Sequence, residues 1–227
     1  MHVCDAGDCQ AGAAEDLGKP MCRMKCGRCG AETDWMIFDT VTDAKRGIPC
    51  ASCNVEKGFV MTERYEKSAV LSDCGQYRYH LARKWSDDKP MLFVMLNPST
   101  ADHREDDNTI RRCVGFATRN GCGSIQVVNL FAFRTTYPPE LKRAGYPSGP
   151  ENLEMIRRTA QAVAAAGGLV VCAWGSNARG LAMVATVKDV LRDVGVRLYA
   201  LKLLGDGTPA HPLMLANDCQ LLEVPNV

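Results

Sequence analysis

Residues 91 to 102 read MLFVMLNPSTAD, six apolar residues running into a polar turn that carries a proline. Met91 to Leu96 shows no alternation, so the strand it predicts is covered on both faces, as in the parallel sheet of an α/β protein. Asn97, Pro98, Ser99, Thr100 and Asp102 then fall at the carboxyl end of that strand, where open α/β sheets place their ligands.

The chain after residue 60 continues in the same style. SAVLSDCGQYRYHLARKW, residues 68 to 85, predicts a hairpin that turns at Gly75, with Tyr77, Tyr79 and Leu81 on one face. Asp107 or Asn108 caps a helix through Ile110, Cys113, Val114 and Ala117, which stops at Asn120-Gly121. Residues 124 to 133, SIQVVNLFAF, form a second strand. Ser148-Gly-Pro-Glu151 has the spacing of a capping box and opens a helix to Ala166. LVVCAW, residues 169 to 174, is a third strand, a helix runs from Ser176 or Asn177 to Val194, and VRLYALKLL, residues 196 to 204, is a fourth. The expected class is α/β, a three-layer α/β/α domain over residues 61–227 with a central parallel four-stranded sheet. Polar or glycine residues follow each apolar run: Asn97-Pro98-Ser99, Asn129 with Arg134 beyond it, Trp174-Gly175-Ser176, and Gly205-Asp206-Gly207-Thr208 leading to His211-Pro212. In a parallel sheet these ends share one edge and line one pocket.

Residues 1–60 form a different unit. Cys26-Gly-Arg-Cys29 and Cys50-Ala-Ser-Cys53 are two Cys-x-x-Cys pairs with the spacing of a four-cysteine zinc ribbon. So short a segment has too little apolar surface to fold alone, and a structural zinc ion would supply much of its stability. Cys4, Cys9 and Cys22 have irregular spacing and predict no second site. Lys19, Arg23, Lys25 and Arg28 make a basic run that reads equally as a phosphate contact or a solvated surface. The remaining cysteines, Cys74, Cys113, Cys122, Cys172 and Cys219, stand singly and predict buried apolar fillers. No stretch approaches eighteen unbroken apolar residues, and MHVCDAGDCQ has neither a basic n-region nor an apolar h-region, so the expected location is the cytosol, with no membrane partner. A net charge of +1 argues against the extended basic footprint of a strong nonspecific nucleic-acid binder.

The order of motifs resembles the uracil-DNA glycosylase superfamily. Residues 68 to 227 also resemble the domain of unknown function 1643 family, through MLNPSTAD, VVNLFAFR, AWG and GTPAHPL, a resemblance that brings a fold and no activity. In the glycosylase resemblance, Asn97-Pro98 corresponds to the Asn-Pro whose asparagine positions the attacking water. Asn129 corresponds to the asparagine that reads the base edge, Trp174-Gly175 to the Trp-Gly closing the next strand, and His211-Pro212 to the His-Pro of the loop that enters the minor groove. The chain departs from that pattern after His211-Pro212, where it reads Leu-Met instead of a serine-rich stretch, and at the water-activating position, where it has no aspartate.

The chemistry suits these residue types. Breaking an N-glycosidic bond builds positive charge on the sugar and negative charge on the departing base, so it calls for a held water and a donor beside a base oxygen. The expected catalytic residues are Asn97 and Asp102 for the water, Asp102 as general base, and His211 for the leaving group. Pro98, Ser99, Asn129, Phe131, Arg134, Trp174 and Gly175 are the expected substrate-binding residues. Asn129 offers both a donor and an acceptor to a pyrimidine edge. Phe131 or Phe133 would stack on an extruded base, and Arg111, Arg112 or Arg134 would touch phosphate. Against these stand plainer readings, in which the phenylalanines are core, the helix arginines are a solvated face, and Asn97 and Ser99 satisfy turn backbone. Three functions remain open: hydrolysis of a normal or modified base from DNA, a non-catalytic nucleotide or modified-base binding module, and modification of a base or nucleotide in the same pocket. The expected partner is a nucleic acid, DNA first, or a nucleotide, with the ribbon available to dock a protein.

Overall fold

The computed structural model describes residues 2–8, 19–27, 30–37, 40–46 and 66–224. The chain divides into two compact units, Met1–Glu63 and Arg64–Val227. In the first, β1 (His2–Asp8), β2 (Pro20–Lys25) and β3 (Met36–Ile37) form an antiparallel sheet in that order, accompanied by the short helix α1 (Val41–Arg46). Its small core joins Cys22, Met24 and Ala44, with Val3 packed against them. At the end of β2 the chain makes a tight turn in which Cys26 N–H donates to Ala31 O at 2.8 Å and Gly30 N–H donates to Cys26 O at 2.9 Å. Gly30 has φ +75°, a conformation that glycine adopts without strain. Arg23 and Lys25 of the basic run both meet Glu32, at 3.1 and 2.9 Å, and the Lys25 ammonium holds the Glu32 carboxyl below its usual value. Of the expected zinc ligands, Cys29, Cys50 and Cys53 lie outside the described residues, as do Cys9 and Arg28.

The second unit is built on a seven-stranded mixed sheet. Its strands are β4 (Glu66–Leu71), β5 (Arg78–Lys84), β6 (Pro90–Met95), β7 (Ser124–Asn129), β8 (Leu169–Cys172), β9 (Leu198–Ala200) and β10 (Leu222–Val224), in the order β10-β9-β8-β6-β7-β5-β4. The four strands expected are β6, β7, β8 and β9, but the sheet that holds them is larger and mixed. The pairs β6·β7, β6·β8 and β8·β9 are parallel, and β5, β4 and β10 extend the sheet with antiparallel pairing.

Strand β6 is central. Leu92 and Val94 pack with Leu96 into one apolar cluster, with Ile156, Ala160 and Val163 of helix α4 (Asn152–Ala165) and Val187, Val190 and Leu191 of α5 (Ala182–Val194). Met91, Phe93 and Met95 point the other way, into a cluster with Ile110, Cys113, Val114, Phe116 and Ala117 of α2 (Asn108–Arg119). Burying each such side chain contributes about 1.5–3 kcal/mol, and the alternation explains why the sequence shows no polar face. Helix α2 starts as its sequence predicts, with Asp107 accepting from Ile110 N–H at 2.8 Å. The capping box at Ser148 does not form: α4 begins at Asn152 and Glu151 makes no side-chain cap. Gly149 takes φ +81° against Tyr79, where a Cβ would lie 2.8 Å from the ring, and this turn delays the helix. The short helix α3 (Pro138–Arg143) contributes Leu141 to the α4 side. Cys113, Cys122 and Cys172 are buried fillers, whereas Cys74 is exposed in the β4–β5 turn. Among the described residues no helix is long and apolar enough to cross a membrane.

Arg83 pins the segment between β6 and α2. It is fully buried and its donors are all engaged. Nε meets Asp106 at 2.7 Å, Nη2 reaches the carbonyls of Asp102 and Glu105 at 2.5 and 3.2 Å, and Nη1 reaches those of Ala82 and Ser68 at 2.7 and 3.4 Å. Removing one partner of a buried pair strands the other in a dry environment. Arg83→Ala is therefore expected to lower unfolding free energy by about 3–5 kcal/mol in urea denaturation. A loss no larger than that of an exposed pair, below about 1 kcal/mol, contradicts this account.

Candidate functional site

Strand β6 continues through α2 to β7 on one side, while β8 pairs with it on the other, so the chain reverses direction across the sheet between β6 and β8. Parallel sheets open a crevice beyond the carboxyl ends at such a switch point. A cavity of about 330 Å³ lies there. Met95, Leu96, Ile110, Thr135, Trp174, Gly175 and Arg78 are its buried lining, while Asn97, Ser99, Asp107, Thr109 and His211 are half-buried. Thr136, Ser176, Asn177 and Leu213 are exposed at its mouth. Four expected residues, Asn97, Ser99, Trp174 and Gly175, thus meet His211 around one space despite their separation in sequence.

Asn97 sits two residues past the end of β6. Its Nδ2 donates to the carbonyls of Pro98 and Thr135, at 3.0 and 2.8 Å, and Thr135 N–H donates to Pro98 O at 2.9 Å. Two carbonyls facing one amide end require the NH₂ group there, which fixes the orientation of the side chain. Oδ1 has no partner among the described residues and remains an acceptor for a ligand or water. Pro98 does not line the cavity; it is buried and braces the loop through its carbonyl.

His211 Nδ1 accepts from Leu213 N–H at 3.3 Å, which leaves the proton on Nε2. Burial lowers the pKa of the imidazole, and the more distant Asp107 carboxylate opposes that shift. At neutral pH the ring is therefore uncharged and presents Nε2–H as a donor. Gly175 makes room for it: φ is +77°, and a Cβ would come within 3.0 Å of His211 Cβ. The Trp-Gly pair thus has a steric reason as well as a conformational one.

Other expected residues lie elsewhere. Asp102 does not line the cavity; its Oδ1 accepts from the backbone N–H groups of Arg104 and Glu105, at 2.7 and 3.0 Å, which hold the carboxyl below its usual pKa. It is a turn residue whose backbone Arg83 also grips. The carboxylate on the cavity wall is Asp107. Asn129 does not line the cavity either; it is 1% exposed, and neither its amide oxygen nor its nitrogen has a partner among the described residues. Its neighbour in register is Met95, which does line the cavity. Phe131 packs on Tyr146 at 5.2 Å in the α4-side core, and Phe133 meets Tyr77 edge-on at 6.2 Å. Arg134 Nη1 donates to Gly75 O at 3.3 Å and so braces the β4–β5 turn. Arg112 bonds Asn217 and Leu215 O, and Arg111 bonds Asn108.

Arg78 is a lining residue that sequence reasoning missed. The register of β4 against β5 slips between Val70 and Leu71, opposite His80 and Arg78, and such a bulge re-aims the side chain beside it. Arg78 therefore reaches the segment between β6 and α2, as Arg83 does, on the side where Leu81 is buried, while Tyr79 packs against Gly149 instead. No periodicity in the sequence announces this.

Residues 78–213 match the model of a family described as "Protein of unknown function (DUF1643)", and that span holds every residue lining the cavity. No curated protein and no solved structure matches the chain.

The neutral state of His211 has a measurable consequence. His80, half-buried and bonded to Gln126, is also held below the ordinary histidine pKa of 6.5 by desolvation. Depressed folded values mean that the unfolded chain binds more protons, so this stability is complete above pH 6.5 and is lost as pH falls through the folded pKa. His211→Gln is expected to flatten that part of the stability profile. Nitrogen-15 NMR of the wild type should show the Nε2–H form at pH 7; an Nδ1–H form or a midpoint above 6.5 contradicts the assignment.

Proposed function

We propose that this chain, which belongs to the DUF1643 family, recognises a nucleobase and hydrolyses its N-glycosidic bond, with a normal or modified base in DNA as the substrate. The observation that carries the reading is the pairing, around one cavity, of an acceptor and a neutral donor. Asn97 Oδ1 is free to hold a water, and His211 Nε2–H is free to meet a base oxygen. Trp174, Leu96, Met95 and Ile110 supply the apolar walls that a planar base needs. Three of the motifs that resemble the uracil-DNA glycosylase superfamily, Asn97-Pro98, Trp174-Gly175 and His211-Pro212, converge there, which supports the same reading.

In the step proposed, water oxygen bonds to the sugar carbon as the carbon–nitrogen bond breaks, and the electron pair leaves with the base. His211 donates to the base oxygen that gains charge, which stabilises the departing anion without a prior proton transfer. Asp107, in place of Asp102, accepts the proton of the water. Ser99 and Thr109 add hydroxyls on the same walls.

A second reading is a binding module without turnover. It is favoured by Asp102, whose carboxylate is spent on backbone N–H groups and leaves one fewer candidate base. Incubation with duplex and single-stranded oligonucleotides carrying normal and modified bases separates the two. Hydrolysis predicts abasic sites and released base, a loss of about a hundredfold or more in single-turnover rate for Asn97→Ala and His211→Ala, and near wild-type turnover for Asp102→Ala. Base-dependent binding with neither abasic sites nor a mass change would establish the module instead.

For the amino-terminal unit we propose one structural zinc ion held by Cys26, Cys29, Cys50 and Cys53, with the unit serving as a docking surface for nucleic acid or protein. The turn that follows Cys26, closed by the Gly30 N–H to Cys26 O bond, fits the first half of a Cys-x-x-Cys knuckle. Purified protein should carry one zinc per chain by elemental analysis and lose it in Cys26→Ser/Cys53→Ser. Substoichiometric metal, or full retention in the double variant, would refute the site.

A further inference from the structure

Arg78 and Arg83 lie on the same strand, are 2% and 0% exposed, and are treated in opposite ways. Arg83 has a carboxylate and carbonyls for its donors. Among the described residues Arg78 makes one hydrogen bond, from Nη1 to Ala101 O at 2.6 Å, and its Nε–H is buried without a partner. Among the described residues no carboxylate makes an ion pair with it. A guanidinium has five N–H donors and keeps its charge inside proteins; burial lowers the pKa only to about 10, so the group is cationic at neutral pH. A dry, unpaired guanidinium is a costly thing to hold unless something else completes its bonding.

The position of this charge narrows what that partner is. Arg78 belongs to the buried lining of the cavity, beside apolar Met95, Leu96, Ile110 and Trp174. Asp107, also on the wall, is half-buried, has Oδ1 engaged by Ile110 N–H, and does not reach Arg78 in ion-pair contact. We propose that the buried end of the ligand carries an oxyanion that the Arg78 fork grips. This rests on the reading that the cavity takes a nucleobase, and it goes further in assigning charge to the part of the ligand that enters first. An extruded nucleotide puts its base deepest and leaves its phosphates at the mouth. In a polymer, therefore, only an acidic substituent on the base reaches Arg78. The other source of the same chemistry is the phosphate of a free nucleotide that enters phosphate first. A planar carboxylate or a phosphate matches the fork in two parallel hydrogen bonds, whereas a neutral base offers a single weaker acceptor.

The test compares charged and uncharged partners on the full chain by isothermal titration calorimetry at constant ionic strength. The probes are uracil against its 5- and 6-carboxylates, and 2′-deoxyuridine against its 5′-monophosphate. The expected result is at least tenfold tighter binding of an anionic member than of its neutral counterpart in the wild type, with the difference abolished in Arg78→Met. A preference confined to a carboxylated base assigns an acidic modified base, and one confined to the monophosphate assigns a free nucleotide. Equal binding of charged and neutral probes, binding of none, or a preference that survives in Arg78→Met overturns the proposal. Removing an unpaired buried charge is expected to leave the thermal midpoint of Arg78→Met no lower than that of the wild type. Should that variant fail to fold, Arg78→Lys keeps the charge without the fork and is expected to lose at least tenfold on the preferred anion; an unchanged preference overturns the proposal equally. Anion preference without cleavage of any oligonucleotide retains this inference and removes hydrolysis, and cleavage of neutral bases without anion preference does the reverse.

Discussion

Strand β6 has Met91 to Met95 buried on both faces, alternately against α2 and against α4 and α5, so water reaches it only at its ends. Everything chemical in the second unit follows from that burial. The amino-terminal end abuts Gly168, where Pro90 O would lie 2.5 Å from a Cβ, and offers little room. The carboxyl end opens beside β8, where the chain reverses direction and no connection crosses it. A strand this apolar cannot itself carry polar chemistry, so the polar groups are delivered by the turns that leave it and its neighbours.

The backbone beyond the strand ends must also be satisfied, and two asparagines do this. Fully buried Asn152, in the first turn of α4, donates its amide to the carbonyls of Asn129 and Leu130, at 2.9 and 3.0 Å, where β7 runs out of ladder partners. Asn97 does the same for Pro98 and Thr135 beyond β6. Each bond is worth only about 1 kcal/mol net, but leaving a buried carbonyl unpaired costs more. Asn97 is thereby held on its donor side while its acceptor keeps no partner among the described residues, which is how a positioning amide should be mounted.

The sequence was informative where a local rule governs. An uninterrupted apolar run marked β6, the Asp107 cap and Asn120-Gly121 stop marked α2, and the polar strand ends foretold that Asn97, Trp174, Gly175 and His211 would meet. It was silent where the determinant is nonlocal. Asp102 looked like a base because it stands five residues past Asn97, but Arg83, from another strand, folds its loop so that its carboxylate caps backbone. Arg78 is marked by no local rule, and a bulge in strand pairing is what turns it inward. Ser148-x-x-Glu151 obeyed the spacing of a capping box, yet the tyrosines packed against Gly149 decided where the helix began.

Among the described residues, the buried side-chain atoms without partners include one on the cavity wall and others, on Arg112, Arg134 and Asn152, that do not line it. Arg78 Nε, in the cavity lining, and both amide atoms of Asn129, on the strand partner of Met95, are buried without partners among the described residues. Gly175 holds a backbone conformation open to glycine, at the point where His211 closes in. A fold that satisfies Arg83 with a carboxylate and carbonyls from three segments has the means to satisfy an arginine. That it leaves Arg78 wanting, on the wall where its strands present their open ends, puts this destabilising feature where a bound molecule can compensate for it. The stability that it costs is carried by the two apolar layers behind the wall, which is why the cavity needs β6 buried on both faces and not merely a strand to end there.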